Sequence, residues 1–540
     1  MKSFSLVVVV LSSCLLGKAS LCLSGEELST AVIEPSTESE SSVSDLEKPA
    51  LPAKKESAAE PKIEAHVVKI KMTQRRPDFF RPWTKASPAK SSGSGVVISG
   101  NRILTNAHVV MYASQVLVQL QQGGDQLSAK VVAIAPGIDL AIVELLDPSA
   151  LEDLPGLEIG DDLAEVKSRI TAYGYPTGGD DLSVTDGIVS RIEFTGFYHG
   201  AMGARIQVDA ALNPGNSGGP AIQEGKIAGL VFSKIQEADN IGYLIPPEEI
   251  RTFLADVEDG KYHGKPMLLD QLQTAENPAF RSFLKLEKNE TGIAVKTPYH
   301  HLDDSVLQPW DVITHVGEHE IDNQGYVEVR DGLRLRFLYY VPKLAKPDPE
   351  HPDDPSRGLV PLKLLRDGEP VEVEVPVQAD RDLVVPLLKE NYPDYFIYGP
   401  MVFTAATQEY VRAIGGRGMS ALISLENPLI NRMTDRPSEP GEQIVIMATR
   451  MFPHRITKGY DNRPLGVITS LNDTKIKNLR HLAELIKNST DEFLNFEVAG
   501  RSESLVFRRE EIEATTEEIL VDEGIRYQAS KSLRDVWEDD

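Results

Sequence analysis

Residues 208–220 constrain this chain more than any other stretch, because Asn213-Pro214-Gly215-Asn216-Ser217-Gly218-Gly219-Pro220 cannot pack as a regular element. Gly215, Gly218 and Gly219 open backbone angles closed to other residues. Pro214 fixes one torsion, and Pro220 restricts the residue before it. The run therefore folds as a tight turn. Such a turn can aim backbone N–H groups at one point while holding the Ser217 hydroxyl on its rim, which suits attack on a carbonyl and retention of the oxyanion that forms. The same composition also suits a plain loop joining two strands. The surrounding chain has to decide between the two.

Around the turn lie short runs of β-forming residues separated by turn residues: 94–98, 102–105, 115–120, 139–145, 169–173, 188–193, 205–208 and 226–233. Many short strands without alternating long helices predict an antiparallel sandwich or double barrel. An amphipathic pattern over 246–256 predicts a helix that closes this first domain, bounded at residues 65–260. A second β-rich unit follows over 265–385, with Asp367-Gly368 marking a hairpin and a polar, Pro-rich surface loop over 346–356. A third unit, 395–527, carries predicted helices over 478–487 and 510–520, and residues 528–540 form a tail. The arm bearing Phe79, Phe80 and Trp83 is left open between covering a core and contacting another copy of the chain.

At 540 residues the chain has room for about three or four domains. A formal net charge of -25 argues against nucleic acid and anionic membranes as partners. Lys2 precedes an apolar run over 4–16 that ends among Gly17, Ala19 and Ser20, so residues 1–23 read as a secretory signal peptide. An uncleaved anchor is the competing reading, and Leu11-Ser12-Ser13-Cys14 also resembles a lipoprotein processing site. The cysteines, Cys14 and Cys22, both fall in this segment. The folded part therefore holds no disulfide, thiolate nucleophile or cysteine-based metal site. Residues 24–64, rich in Glu, Ser, Ala, Pro and Lys, read as a disordered acidic linker.

Ser217 needs a base, and the base needs an orienting partner. Asn106-Ala107-His108 places a histidine just after the strand at 102–105. Gly137-Ile138-Asp139 places a carboxylate where an apolar strand begins. A buried carboxylate is costly unless paired, and an imidazole N–H is a suitable partner. The order His108, Asp139, Ser217 is that of chymotrypsin-type enzymes. Taken singly, His108 could be a satisfied histidine and Asp139 a strand-end cap; occurring together within one β domain they point to a charge-paired nucleophile. His300-His301 with Asp303-Asp304, and His315 with His319, carry the metal-binding residue types. The Gly317 turn between the last two separates their faces, and no metal or other cofactor is expected.

These motifs resemble those of the Deg/HtrA serine proteases, and within them the plant-type Deg proteases with two PDZ-like units. The resemblance is carried by Ser92-Gly93-Ser94-Gly95-Val96-Val97-Ile98, Ile103-Leu104-Thr105-Asn106-Ala107-His108-Val109 and Gly137-Ile138-Asp139-Leu140-Ala141. It continues through Tyr173-Gly174-Tyr175-Pro176, Ser183-Val184-Thr185-Asp186-Gly187-Ile188-Val189-Ser190, residues 210–220 and Asn240-Ile241-Gly242-Tyr243-Leu244-Ile245-Pro246. The family implies a mainly β fold, a chymotrypsin-like double β-barrel followed by two PDZ-like α+β domains. It implies His108 as general base and acid, Asp139 as its orienting partner, Ser217 as nucleophile, and an oxyanion hole from Gly215 and Ser217 with Asn216 shaping the turn.

The resemblance further implies a specificity pocket at Ala211, suited to small or medium apolar side chains, and pairing of Val231-Phe232-Ser233 with the substrate backbone. Thr291-Gly292-Ile293-Ala294 would meet the carboxylate of a peptide C-terminus in the first PDZ domain. In the third unit Gly441-Glu442-Gln443-Ile444 is the nearest equivalent, and Glu442 would repel a carboxylate, so a degenerate PDZ unit is expected. The function implied is ATP-independent cleavage of unfolded or damaged proteins by homo-oligomers of three subunits or multiples of three; the signal peptide and acidic linker depart from the plant-type pattern and point instead to an exported protein of the bacterial periplasm or envelope. A chaperone-like or peptide-binding scaffold with a switched-off site is the alternative.

Overall fold

A computed structural model describes residues 62–120, 124–196, 202–234, 242–299, 306–461, 464–499 and 504–537. The expected signal segment, nearly all of the linker, and the cluster of His300, His301, Asp303 and Asp304 lie outside the described residues. Two closed six-stranded barrels come first. Barrel one is β1 (Val67–Gln74), β2 (Ala89–Ile98), β3 (Arg102–Thr105), the single-turn α1 (Ala107–Val110), β4 (Ala113–Gln119), β5 (Gln126–Ala135) and β6 (Leu140–Leu145). Its strands close in the order β1-β2-β3-β6-β5-β4, all antiparallel. Val68 and Ile70 of β1 meet Val97, Ile103, Val118 and Val143 in its core. Each such buried aliphatic side chain contributes roughly 1.5–3 kcal/mol.

Barrel two is β7 (Arg169–Gly174), β8 (Ser183–Gly196), β9 (Met202–Val208), β10 (Pro220–Gln223), β11 (Lys226–Lys234) and β12 (Gly242–Ile245), closing in the order β10-β11-β12-β9-β8-β7. Helix α2 (Pro247–Asp256) follows, starting one residue later than its sequence pattern predicts. It buries Ile250 and Phe253 in a core shared by the two barrels.

The second unit comprises β13 (Gln271–Thr274), α3 (Pro278–Phe283), β14 (Ile293–Thr297), β15 (Val312–Val316), β16 (His319–Glu320), β17 (Tyr326–Arg330), β18 (Leu333–Arg336), α4 (Val341–Leu344), β19 (Lys346–Pro347), β20 (Arg357–Arg366) and β21 (Glu369–Gln378). Its sheet runs β13-β14-β15-β20-β19, with β16 on β15 and β21 on β20. The β20–β21 hairpin turns at Asp367 and Gly368, both at positive φ, as its sequence predicts. The expected loop over 346–356 begins as β19, paired to β20, and buries Asp348.

The third unit comprises β22 (Tyr395–Tyr398), β23 (Met401–Ala405), α5 (Gln408–Ser424), α6 (Pro428–Asn431), β24 (Val445–Met447), β25 (Ile468–Leu471), β26 (Thr474–Lys475), α7 (Leu479–Asn488), β27 (Phe493–Val498), β28 (Leu505–Arg508) and α8 (Arg509–Asp522). Sheets β22-β23-β24 and β26-β25-β27-β28 enclose its core. Asn478 caps α7 by accepting from His481 N. Helix α5 is absent from the sequence reading because Gly415, Gly416 and Gly418 interrupt its apolar periodicity; Gly415 sits at φ 73°, a break within the helix.

Both units pack on the barrels. Leu333, Leu335 and Tyr339 enter the core of barrel two, and Arg330 donates to the carbonyls of Leu163 and Ala164. The arm from barrel one lies on the third unit, with Phe79 edge-on to Tyr410 at 6.5 Å and Trp83 on Phe452 at 5.6 Å. Tyr112 donates to the Lys389 carbonyl and Tyr392 to the Arg75 carbonyl. Of the two readings of the aromatic arm, the structure places it as cover for a core of its own chain. Trp83→Ala is expected to destabilise this junction by about 2 kcal/mol, less than a fully buried Trp because the ring is only partly enclosed. Hydrogen exchange should quicken around Tyr410 and Phe452 and leave barrel two unchanged.

Candidate active site

The site lies where the barrels meet. Strand β3 delivers Asn106 and then α1, so His108 projects from a short turn rather than from a core face. Asp139 sits just before β6 in the left-handed region, at φ 60°, which Asp tolerates better than most residues. Its carboxylate accepts twice from one residue: His108 N donates to Oδ1 at 2.8 Å, and His108 Nδ1 lies 2.6 Å from Oδ2. Asn106 Nδ2 donates to the Asp139 carbonyl at 2.9 Å, fixing the strained backbone from the other side. Asp139 is buried while the His108 side chain is 49% exposed. The pair therefore anchors an imidazole that still reaches solvent.

With Nδ1–H committed to the carboxylate, Nε2 is left as the basic nitrogen. Burial pushes the His108 pKa down, but the hydrogen bond and negative charge of Asp139 outweigh it and hold the value above that of an ordinary histidine. Behind the pair, the buried Arg205 guanidinium on β9 feels the charges of Glu249 and Asp139, against a burial that pushes its own pKa down.

Ser217 comes from barrel two, between β9 and β10. Gly93 of barrel one bridges the halves: a Cβ there would stand 2.7 Å from Val109 Cγ1 and 3.3 Å from the Ser217 carbonyl. Gly218, at φ 85°, passes so close that a Cβ would lie 2.1 Å from the Ser94 carbonyl, so only glycine fits. Gly215, at φ 100°, is equally restricted, 2.5 Å from Thr177 N.

The carbonyls from Asn213 to Ser217 are each engaged. Pro214 O accepts from Thr177 N, Gly215 O from Ser94 Oγ, and Asn213 O from Asn216 N. A trans peptide points its N–H opposite its C=O, so Gly215 N–H faces away from Thr177. Among the described residues the N–H groups of Gly215 and Ser217 have no partner within the chain, which leaves them as donors. The Ser217 hydroxyl donates to the Phe232 carbonyl at 3.2 Å.

The remaining sequence-predicted residues separate into those near this turn and those far from it. Ala211 is exposed on the turn's approach, whereas its neighbour Leu212 is buried against Gly242. Phe232 lies beside Ser217, whose hydroxyl donates to its carbonyl. The backbone of Val231 is already used, accepting from Gly218 N and donating to Gly219 O, and Ser233 pairs with Tyr243 of β12. Thr291 and Gly292 lead into β14, where Ile293 and Ala294 pair with both β13 and β15. A peptide strand therefore has no free edge to join at Ile293 and Ala294.

One end strand of the sheet is β13. Beside it the loop at Pro266, Met267, Leu268 and Leu269 borders a cavity of about 80 Å³ that also touches Leu338 and Phe194. In the third unit Glu442 is buried in an ion pair with Arg432 at 3.0 Å. Burial raises its pKa, but the Ser438 N–H, the Ser438 hydroxyl and Arg432 override that and lower it to about 2. His315 bonds Thr314 and His319 stacks on Tyr340 at 3.7 Å.

Comparison with known proteins matches the Trypsin-like peptidase domain model over residues 93–230 and the PDZ domain model over residues 385–532. The chain is 36% identical over 439 residues to Protease Do-like 4, mitochondrial, of Arabidopsis thaliana, covering 80% of this chain and 78% of that protein. It is 33% identical over 484 residues to Protease Do-like 2, chloroplastic, of the same plant, covering 88% and 76%. A solved structure, the HtrA-type protease AlgW with tripeptide, is 25% identical with a TM-score of 0.43, covering 59% of this chain and 94% of that one.

The raised His108 pKa fixes the sign of a pH effect. A base must be neutral to accept a proton, so kcat/KM is expected to rise with pH through a value above the ordinary ~6.5 of histidine. Asp139→Asn should lower that midpoint and reduce kcat on the order of 10⁴-fold by favouring the wrong tautomer. A pH–rate profile of both proteins on one peptide reads this.

Proposed function

Because this chain belongs to the Do-like (Deg/HtrA) serine proteases and is a serine endopeptidase, we propose that it cleaves unfolded or damaged proteins without ATP, through an acyl-enzyme formed on Ser217. The observation that carries the assignment of roles is the Asp139–His108 pair at 2.6 Å, set across the barrel seam from a serine on a turn with two unengaged N–H donors. His108 Nε2 takes the Ser217 proton as Oγ bonds to the scissile carbonyl carbon. The carbonyl oxygen gains the negative charge and faces the N–H groups of Gly215 and Ser217. His108 then gives the proton to the departing amine as the C–N bond breaks, and water releases the acyl group by the same steps in reverse roles.

Substrate selection belongs to the same proposal. The exposed Ala211 and the buried Leu212 offer no carboxylate to a basic side chain, which favours small or medium apolar residues beside the cut. A peptide C-terminus is proposed to add along β13, with its end at the Pro266–Leu269 loop. Location in a bacterial periplasm or envelope is proposed from the signal-like segment at residues 1–23, and assembly into trimers or their multiples from the family; fractionation and light scattering read these.

A second reading is favoured by one observation. Ser217 Oγ donates to Phe232 O, and among the described residues that carbonyl, not His108, is its partner. This is a resting hydroxyl, as in a scaffold whose chemistry is switched off until a ligand turns it. Ser217→Ala is expected to abolish casein cleavage by the full chain while leaving its assembly unchanged. Labelling by a fluorophosphonate probe, with and without unfolded casein, separates the readings: labelling of Ser217 supports the hydrolase, and no labelling under either condition supports the scaffold.

A further inference from the structure

Ser94 is fully buried on β2 of barrel one, yet all of its polar groups are engaged across or along the seam. Its N–H donates to the Ser217 carbonyl at 2.9 Å, and its own carbonyl accepts from Thr105 Oγ1 at 2.7 Å. Its hydroxyl does two further things. Oγ donates to the Gly215 carbonyl at 2.8 Å and accepts from Tyr175 N at 2.7 Å.

The consequences fall on the torsions of Gly215. This glycine sits between two peptide planes, and its N–H orientation depends on how both are held. The plane before it is held by Thr177 N on the Pro214 carbonyl. The plane after it is held directly by Ser94 Oγ. Residue Thr177 follows Tyr175 and Pro176, and the entry to that segment is tied to the same hydroxyl. A glycine at φ 100° has no side chain to resist rotation. What keeps its N–H aimed is therefore the clamp on both sides, and one oxygen atom belongs to both halves of it.

Resting on the hydrolase reading above, we infer that Ser94 is a positioning residue for oxyanion stabilisation: its hydroxyl locks the Gly215 peptide so that the N–H is preset toward the developing charge. Removing the hydroxyl leaves a buried carbonyl and a buried N–H without partners. The cheapest remedy is rotation about Gly215, which turns the donor away. Ground-state peptide binding, which does not use that donor, is left alone. The loss therefore appears in kcat and in affinity for tetrahedral adducts, and not in KM.

The test uses the full chain and a fluorogenic peptide with an apolar residue before the cut, with the matching peptide aldehyde as probe of the tetrahedral state. Ser94→Ala is expected to lower kcat roughly 10- to 100-fold, somewhat less than outright loss of an oxyanion donor. KM should stay within about twofold, and the aldehyde should bind more weakly by a factor similar to the loss in kcat. An unchanged kcat, or a fall in kcat with aldehyde affinity intact, overturns the assignment. If the Ala variant does not fold, Ser94→Cys, which keeps the shape with a weaker donor and acceptor, is read by the same two outcomes. Wild-type protein that neither cleaves the peptide nor binds the aldehyde would instead remove the hydrolase reading on which the inference stands.

Discussion

The hydrogen bond from Ser94 N to the Ser217 carbonyl joins the barrel that carries His108 and Asp139 to the barrel that carries the serine. Neither barrel holds a complete site, so this seam decides whether the three side chains share one place. It demands close backbone approach, and the demand spreads outward. Gly93 and Gly218 are glycines because a Cβ at either would collide across the seam, with the Val109 side chain in one case and the Ser94 carbonyl in the other. Thr105, at the end of the strand that delivers His108, spends its hydroxyl on the same Ser94 carbonyl. The geometry of the site is thus an interface property, held by buried backbone groups where an unmade hydrogen bond costs about 1–3 kcal/mol.

The same logic explains how the accessory units are attached. Each docks on a different barrel: the second unit through Leu333, Leu335 and Tyr339 on barrel two, the third beneath the aromatic arm of barrel one. Tyr339 also donates to Glu248 on α2, the helix that packs into the core common to both barrels. Burial and the neighbouring Glu248 carboxylate push the Tyr339 pKa far above that of a free phenol. The cavity beside β13 is walled partly by Phe194 and Met202 of barrel two. A ligand at the edge of the second unit would therefore touch the protease barrel itself.

Much of this is legible in the amino-acid sequence. The Gly-Asn-Ser-Gly-Gly turn, the histidine just past a strand and the aspartate just before one are local signatures, each dictated by torsions or by the cost of burying charge within a few residues. Strand spacing narrowed the first domain to an antiparallel sandwich or a double barrel, and the family resemblance implied the barrel. Other features were not legible because their cause is remote. Ser94 reads as one more small residue in a Gly/Ser run until Gly215 and Tyr175 are brought to it across the fold. Whether a strand edge is open beside the Thr291–Ala294 segment depends on its neighbours, and both edges of β14 are taken at Ile293 and Ala294. Helix α5 escaped notice because glycines diluted its periodicity, and it is held by packing around Tyr410 and Leu422 rather than by propensity.

The division is physical. Sequence by itself determined the types of residue able to do the chemistry and the local turns that present them, because torsional freedom, charge and hydroxyl reactivity travel with each residue. Only the tertiary structure decided the contacts themselves: the two hydrogen bonds by which Asp139 holds His108, which carbonyl accepts from the Ser217 hydroxyl, and which serine holds the Gly215 carbonyl. Those are distances between segments that β-barrel closure brings together, and no local rule of the chain contains them.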